Sequence, residues 1–313
     1  MSIAALALLA ILTMGSPEQS VPKTAAAVPD RATLLKQAGE AQQAGRTDEA
    51  IRLFQRAAEK YQSVQAYLEL ARLQSRTRQA AAALDSLAKA RELAPNSEDV
   101  LSAYAQLALA AKMPVPAAIT LQALTRVFPT VPQYHYLLGV ALMGLGDLPG
   151  AVDSLTEASR LEPDRPLTLT ALGLAFNHRK LFADAKSALS RSLELQPDNV
   201  DTVAALAEAE AGLGNLETAS TLARRALDRS PANATANMVT ALVSMERREY
   251  AAARDALLKT IAADPDAHKA LYQLSLAYAR LGDEAAARRY VELYQEKLRL
   301  AEKRLEALYE KRF

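Results

Sequence analysis

Prolines stand at 95, 129, 163, 197, 231 and 265, each 34 residues after the one before. The phrases around most of them are alike: "LAPNS", "LEPDR", "LQPDN", "RSPAN" and "ADPDA". A spacing held over that distance belongs to a structural unit repeated along the chain, since a reactive motif has no reason to recur at a fixed period. Proline lacks the N–H that continues a helix and restricts the residue before it, so each one ends a helix. Such a chain stacks small units on their neighbours instead of folding around one central core.

With each proline at position 32, the units are 64–97, 98–131, 132–165, 166–199, 200–233 and 234–267. The frame continues downstream to 268–301. Upstream it fits 31–63 with one residue lost and Gln62 in place of proline. Position 20 is alanine in every unit, from Ala50 to Ala287. Position 8 is always small: Ala38, Ala71, Ala105, Gly139, Gly173, Ala207, Ala241 and Ser275. Position 24 is bulky and apolar (Phe54, Leu87, Leu121, Leu155, Leu189, Leu257 and Val291) except at Ala223. Two helices per unit explain this pattern. Small residues let the first helix cross the second closely, and bulky ones fill the space beside the crossing. Gly45, Gly146, Gly214 and Gly282 fall at position 15, where the turn between the two helices needs positive φ. Pro114 and Pro116 at the same turn of unit 98–131 predict a displaced turn there. With the irregular positions 4 (His135, Leu169, Val203, Asn237) and 11 (Gln74, Glu210, Ser244), this predicts softer packing in units 98–131, 200–233 and 234–267.

The pattern resembles the tetratricopeptide repeat family, most closely in "LLGVALMGLGDLPGAVDSLTEASRLEP", Leu137 to Pro163. It implies an all-α, right-handed α-solenoid of about eight helical hairpins over residues 31–297. A C-terminal helix extension, 298–313, follows. It also implies that the first helix of each unit lines a concave groove. The inward positions then supply a candidate partner-binding set: Tyr136, Val140, Met143, Leu174, Asn177, His178, Met238, Leu242, Met245, Tyr272 and Leu276. Methionines suit an adaptable surface for an extended peptide or an amphipathic helix. Members of the family that clamp a C-terminal carboxylate use Lys, Asn and Arg at positions 5 and 9 of neighbouring units. No such set stands here.

Composition narrows the chemistry. Lys+Arg number 37 against 36 Asp+Glu, a net charge near +1, which gives no push toward nucleic acid. With no cysteine, disulfides, thiolate metal sites and cysteine nucleophiles are excluded. The three histidines, His135, His178 and His268, fall in three different units without the convergent ligands a metal needs. No phosphate-binding glycine loop occurs, and the "GLGD" and "GLGN" phrases are turn glycines. The expectation is a protein without catalytic, cofactor or metal residues and without a small-molecule substrate. Its partner is another protein or peptide.

Residues 1–15 contain an apolar run, Ser2 to Met14, of the length of a signal-peptide core, or else a short N-terminal anchor. Residues 16–30, with Pro17, Pro22 and Pro29, read as a flexible linker. The expected location is periplasmic or envelope-associated, and the expected role a scaffold in complex assembly. An alternative is a structural subunit that self-associates weakly as a homodimer through its C-terminal helix. Leu298, Ala301, Leu305 and Leu308 there continue a 4–3 apolar seam.

Overall fold

A computed structural model describes residues 29–310, except that beyond Leu300 only the Lys303 side chain is included. The expected signal or anchor, 1–15, and all of the linker except Pro29 and Asp30 lie outside the described residues. Among the described residues there are sixteen helices and no strand. The chain forms two compact units, 1–66 and 67–313.

The first unit holds one helical hairpin, α1 (Arg31–Gln43) and α2 (Thr47–Tyr61). Asp30 caps α1 by accepting a hydrogen bond from the Thr33 N–H at 2.7 Å. The Tyr61 hydroxyl donates back to the Pro29 carbonyl at 2.8 Å. Ala38 and Ala50 are fully buried where the helices cross, beside Phe54.

The second unit is an α-solenoid of hairpins. They are α3 (Val64–Arg76, which begins in the first unit) with α4 (Ala80–Leu93), α5 (Glu98–Ala110) with α6 (Pro114–Val127), and α7 (Pro132–Leu145) with α8 (Leu148–Leu161). Next come α9 (Pro166–His178) with α10 (Phe182–Leu195), α11 (Val200–Gly212) with α12 (Leu216–Arg229), and α13 (Ala234–Glu246) with α14 (Tyr250–Ala263). The last pair is α15 (His268–Leu281) with α16 (Glu284–Glu310). From α5 on, each helix packs on the one before it and the one after it, as a linear stack requires.

The close crossings fall where the repeat frame puts them. Ala83, Ala117, Ala151, Ala185, Ala219 and Ala253 have no exposed surface. A Cβ added to Gly139 or Gly173 would land on the side chain of Leu155 or Leu189, the position-24 residue of the same unit. Helices α4, α6, α8, α10, α12 and α14 all end two residues before their proline. The intervening residue (Ala94, Phe128, Glu162, Gln196, Ser230 or Asp264) has φ between −141° and −123°. With ψ between 65° and 93° these residues have left the α region, which a following proline disfavours.

All eight hairpin turns share one geometry. Gly45, Gly146, Gly214 and Gly282 have φ of 72°, 77°, 81° and 82°. The other four turns place Arg78, Lys112, Lys180 and Arg248 in the same left-handed region, with φ of 61°, 56°, 60° and 62°. In each turn the next residue's N–H bonds the carbonyl five residues back, as Met113 does to Ala108 at 2.8 Å. The turn with Pro114 is therefore not displaced. Pro114 occupies the first position of α6, where a missing N–H breaks no intrahelical bond.

The irregular positions are not soft either. Gln74 accepts from Ser86 at 2.8 Å. Asn237 donates to the Pro231 and Asn233 carbonyls. The buried Glu210 carboxylate meets Lys186 at 2.9 Å and Asn215 at 2.7 Å. These three polar substitutes bring their own partners, so burial leaves them bonded.

Ala151→Leu or Ala185→Leu should over-pack its crossing and lower unfolding free energy by about 1–3 kcal/mol in a urea titration. Lys180→Gly should do the opposite. It relieves a left-handed residue whose Cβ strain is worth about 1 kcal/mol, and should raise the urea midpoint.

Candidate binding surface

The two sides of the second unit differ. Helices α5, α7, α9, α11 and α13 touch one another across successive hairpins, most closely along α9, α11 and α13. The even-numbered helices make no comparable contacts with each other. A stack whose first helices are drawn together and whose second helices are spread is curved, with the first helices on the inner side. The residues read as groove candidates lie on α7, α9 and α13 of this inner side and on α15, the first helix of the last hairpin.

Their environments are unequal. Tyr272 and Leu276 are 44% and 37% exposed, and His178 is also exposed. Tyr136, Val140, Leu174 and Leu242 are half-buried, with the Arg165 guanidinium 5.3 Å from the Tyr136 ring centre. Met143 packs against the buried clusters of two adjacent hairpins. Met238 and Met245 pack against the cluster around Ala241 and Leu274. The methionines therefore fill space between helices, and only part of each is left for a partner.

Asn177 departs further from the expectation. It is 4% exposed, and its side-chain amide donates to the Ala205 carbonyl at 2.8 Å, tying α9 to α11. The close approach of α9, α11 and α13 explains this. It also buries Thr170 and Ala204, at position 5 of their units. Thr170 shares a hydroxyl network with Ser192 and Thr202, at 2.8 Å to each.

One residue outside the candidate set stands out. Glu208, on α11, is half-buried on the inner side, and its carboxylate meets the Asn177 amide at a long 3.4 Å. Burial raises its pKa above the ordinary carboxylate value, against the opposing pull of His178, Lys269 and Asn177. Asn177 and His178 of α9 and Lys269 of α15 thus surround an acidic group of α11 whose one side-chain hydrogen bond is long. The sequence contained a signal, since Glu208 is the lone acid at position 9. What it could not supply was the burial.

Among the described residues no three His, Asp or Glu side chains converge as a metal site would require. No described helix is long and apolar enough to cross a membrane.

A raised carboxyl pKa in the folded state means that ionising Glu208 costs stability once pH exceeds its unfolded value, and costs nothing well below it. Glu208→Gln should therefore be more stable than the parent at pH 7. The advantage should vanish as pH falls below about 4.3, the ordinary glutamate value, in melts recorded across that range.

Comparison with known proteins places these features. A family profile described as tetratricopeptide repeat matches residues 35–98, 136–200, 169–234, 204–267 and 241–297, and a second profile of that description matches 77–141. No curated protein matches. Among solved structures, a tetratricopeptide repeat protein from Parabacteroides merdae aligns with a TM-score of 0.61 at 14% identity, over 79% of this chain and 98% of that one. Cut9, solved with Hcn1 as an APC/C hetero-tetramer, aligns with a TM-score of 0.59 at 18% identity, over 79% of this chain and 48% of that one. YrrB, described as having an unusual peptide-binding site, aligns with a TM-score of 0.50 at 21% identity, over 58% and 95%. At these identities the likeness concerns the fold alone.

Proposed function

Since the chain belongs to the tetratricopeptide repeat family, we propose that it is a non-catalytic scaffold that holds an extended or helical segment of a partner protein on its inner side. Protein–protein interaction is the general business of this fold. The finer reading rests on the inner surface around Glu208. The exposed Tyr272 and Leu276 of α15 offer apolar contact, and the half-buried Glu208 carboxylate of α11 offers an acceptor. An aromatic ring contributes large contact area at low conformational cost. A donor from the partner would add to the one long hydrogen bond that Glu208 accepts from Asn177.

We place the scaffold in the bacterial envelope, in complex assembly. The support is compositional: the apolar run from Ser2 to Met14, the proline-bearing tether after it, and a chain without cysteine. YrrB, named for its peptide-binding site, provides a precedent on this fold.

Cross-linking in intact cells, followed by fractionation and mass spectrometry, tests both parts. Tyr272→Lys with Leu276→Lys should reduce recovery of specific cross-linked partners at least tenfold while leaving helicity and melting temperature unchanged. Glu208→Gln should also weaken capture, although it stabilises the free protein. Equal partner recovery from all forms would refute the inner surface as the binding site. Recovery of the protein from the cytosolic fraction alone would refute the location.

A further inference from the structure

Helix α16 runs 27 residues, against 14 each for α14 and α15. Three contacts mark where α15 stops covering it. Tyr290 stacks on Tyr278 with ring centres 5.5 Å apart. Tyr294 meets Tyr272 at 5.4 Å. The Lys297 ammonium donates to Asp266 at 2.8 Å. Asp266 precedes the first residue of α15, and the two helices run in opposite directions. From Leu298 onward α16 has outrun its partner, yet its backbone stays helical to Glu310. That overhang measures about 20 Å at the α-helical rise.

The seam Ala287, Val291, Tyr294, Leu298, Ala301, Leu305, Leu308 passes through both halves of α16. In the first half α15 occupies it. In the second half no other helix among the described residues is packed against it. Leu298, at the boundary, is half-buried, and the side chains of Ala301, Leu305 and Leu308 lie outside the described residues. Their place in the register follows from the continuous helix alone. Tyr290 and Tyr294 also set α16 apart from the other second helices. They hold positions 23 and 27, where every other unit has a Ser, Thr, Ala or Leu. Both rings turn back onto α15.

We propose that the overhang of α16 pairs with the overhang of a second copy of this chain, as a short parallel coiled coil. Charge placement selects both the partner and the direction. With Leu298 and Leu305 at a and Ala301 and Leu308 at d, Lys297 and Arg304 fall at g and Glu302 at e. A parallel pair brings each g residue to the e residue five places on in the other copy. Lys297 then meets Glu302 of the second copy, twice by symmetry. An antiparallel pair would set Lys297 and Arg304 of one helix against the same two cations of the other. The Lys297 ammonium has three N–H donors, so it can keep Asp266 and still reach across. Two heptads are ordinarily too few to hold a free coiled coil. Here the helix is already nucleated on α15, so dimerisation does not bear the cost of starting it. The pairing is weak and depends on concentration.

Sedimentation equilibrium on the full chain tests the proposal, with single cysteines as reporters of direction, since the chain has none of its own. A monomer–dimer equilibrium is expected, and Leu305→Glu should abolish it without lowering helicity or melting temperature. Ala301→Cys should cross-link to its own counterpart under mild oxidation at least tenfold faster than Asp153→Cys, an exposed control on α8. Lys297→Glu and Glu302→Lys should each weaken the dimer, and the double exchange should restore it. A monomer at every concentration, or association that Leu305→Glu leaves unchanged, would overturn the proposal. A dimer that Leu305→Glu removes, but in which Ala301→Cys cross-links no faster than the control, would overturn the parallel direction.

Discussion

Everything in this protein depends on how closely two helices can cross. At positions 8 and 20 of each hairpin only Gly, Ala or Ser is present, and in seven of the eight hairpins both positions are buried. With no side chain to hold the axes apart, the leucine or phenylalanine at position 24 can lie directly on the opposite backbone. Gly139 and Gly173 are the extreme cases, since even a methyl group would meet Leu155 or Leu189. The hairpin is therefore a single packed object. The left-handed turn and the proline that follow serve to start the next hairpin.

Repetition of the hairpin makes a surface. Each first helix contributes one strip to the inner side, and the side chains that survive there are the ones neighbouring strips fail to cover. Around α9, α11 and α13 the strips lie so close that Thr170, Ala204 and Asn177 are consumed in holding them together. The polarity remaining there is concentrated at Glu208, with His178 and Lys269 nearby. A half-buried acid among three helices is an expensive thing for a stack of Ala and Leu to keep. Groups held at such a cost concentrate where proteins bind or react.

The fold was legible in the sequence because its determinants are local and recur. Period, small crossings and proline stops each appear eight, eight and six times, so no single departure could hide them. The turns at Arg78, Lys112, Lys180 and Arg248 were not legible. Lys and Arg carry no preference for positive φ, and here the surrounding hairpin imposes the conformation. The inner surface was only partly legible for a different reason. Which side a residue faces follows from the register, but whether a neighbour covers it depends on how tightly successive hairpins coil. Met143 and Asn177 were placed on the right helices, and only the packing of the next hairpin revealed how little of them is free.

The uneven contact between first helices has a mechanical consequence. Along α9, α11 and α13 the inner side is bonded across hairpins by Asn177, by the Thr170–Thr202 hydroxyls and by apolar packing. From α5 to α9 the inner helices barely touch, and each hairpin there is held mainly through its second helix. Bending modulus follows the number of contacts that must be sheared, so the second unit is a spring of unequal pitch, with a stiff segment and a compliant one in series. A load that straightens it will open the α5–α9 segment first and leave the geometry around Glu208 unchanged.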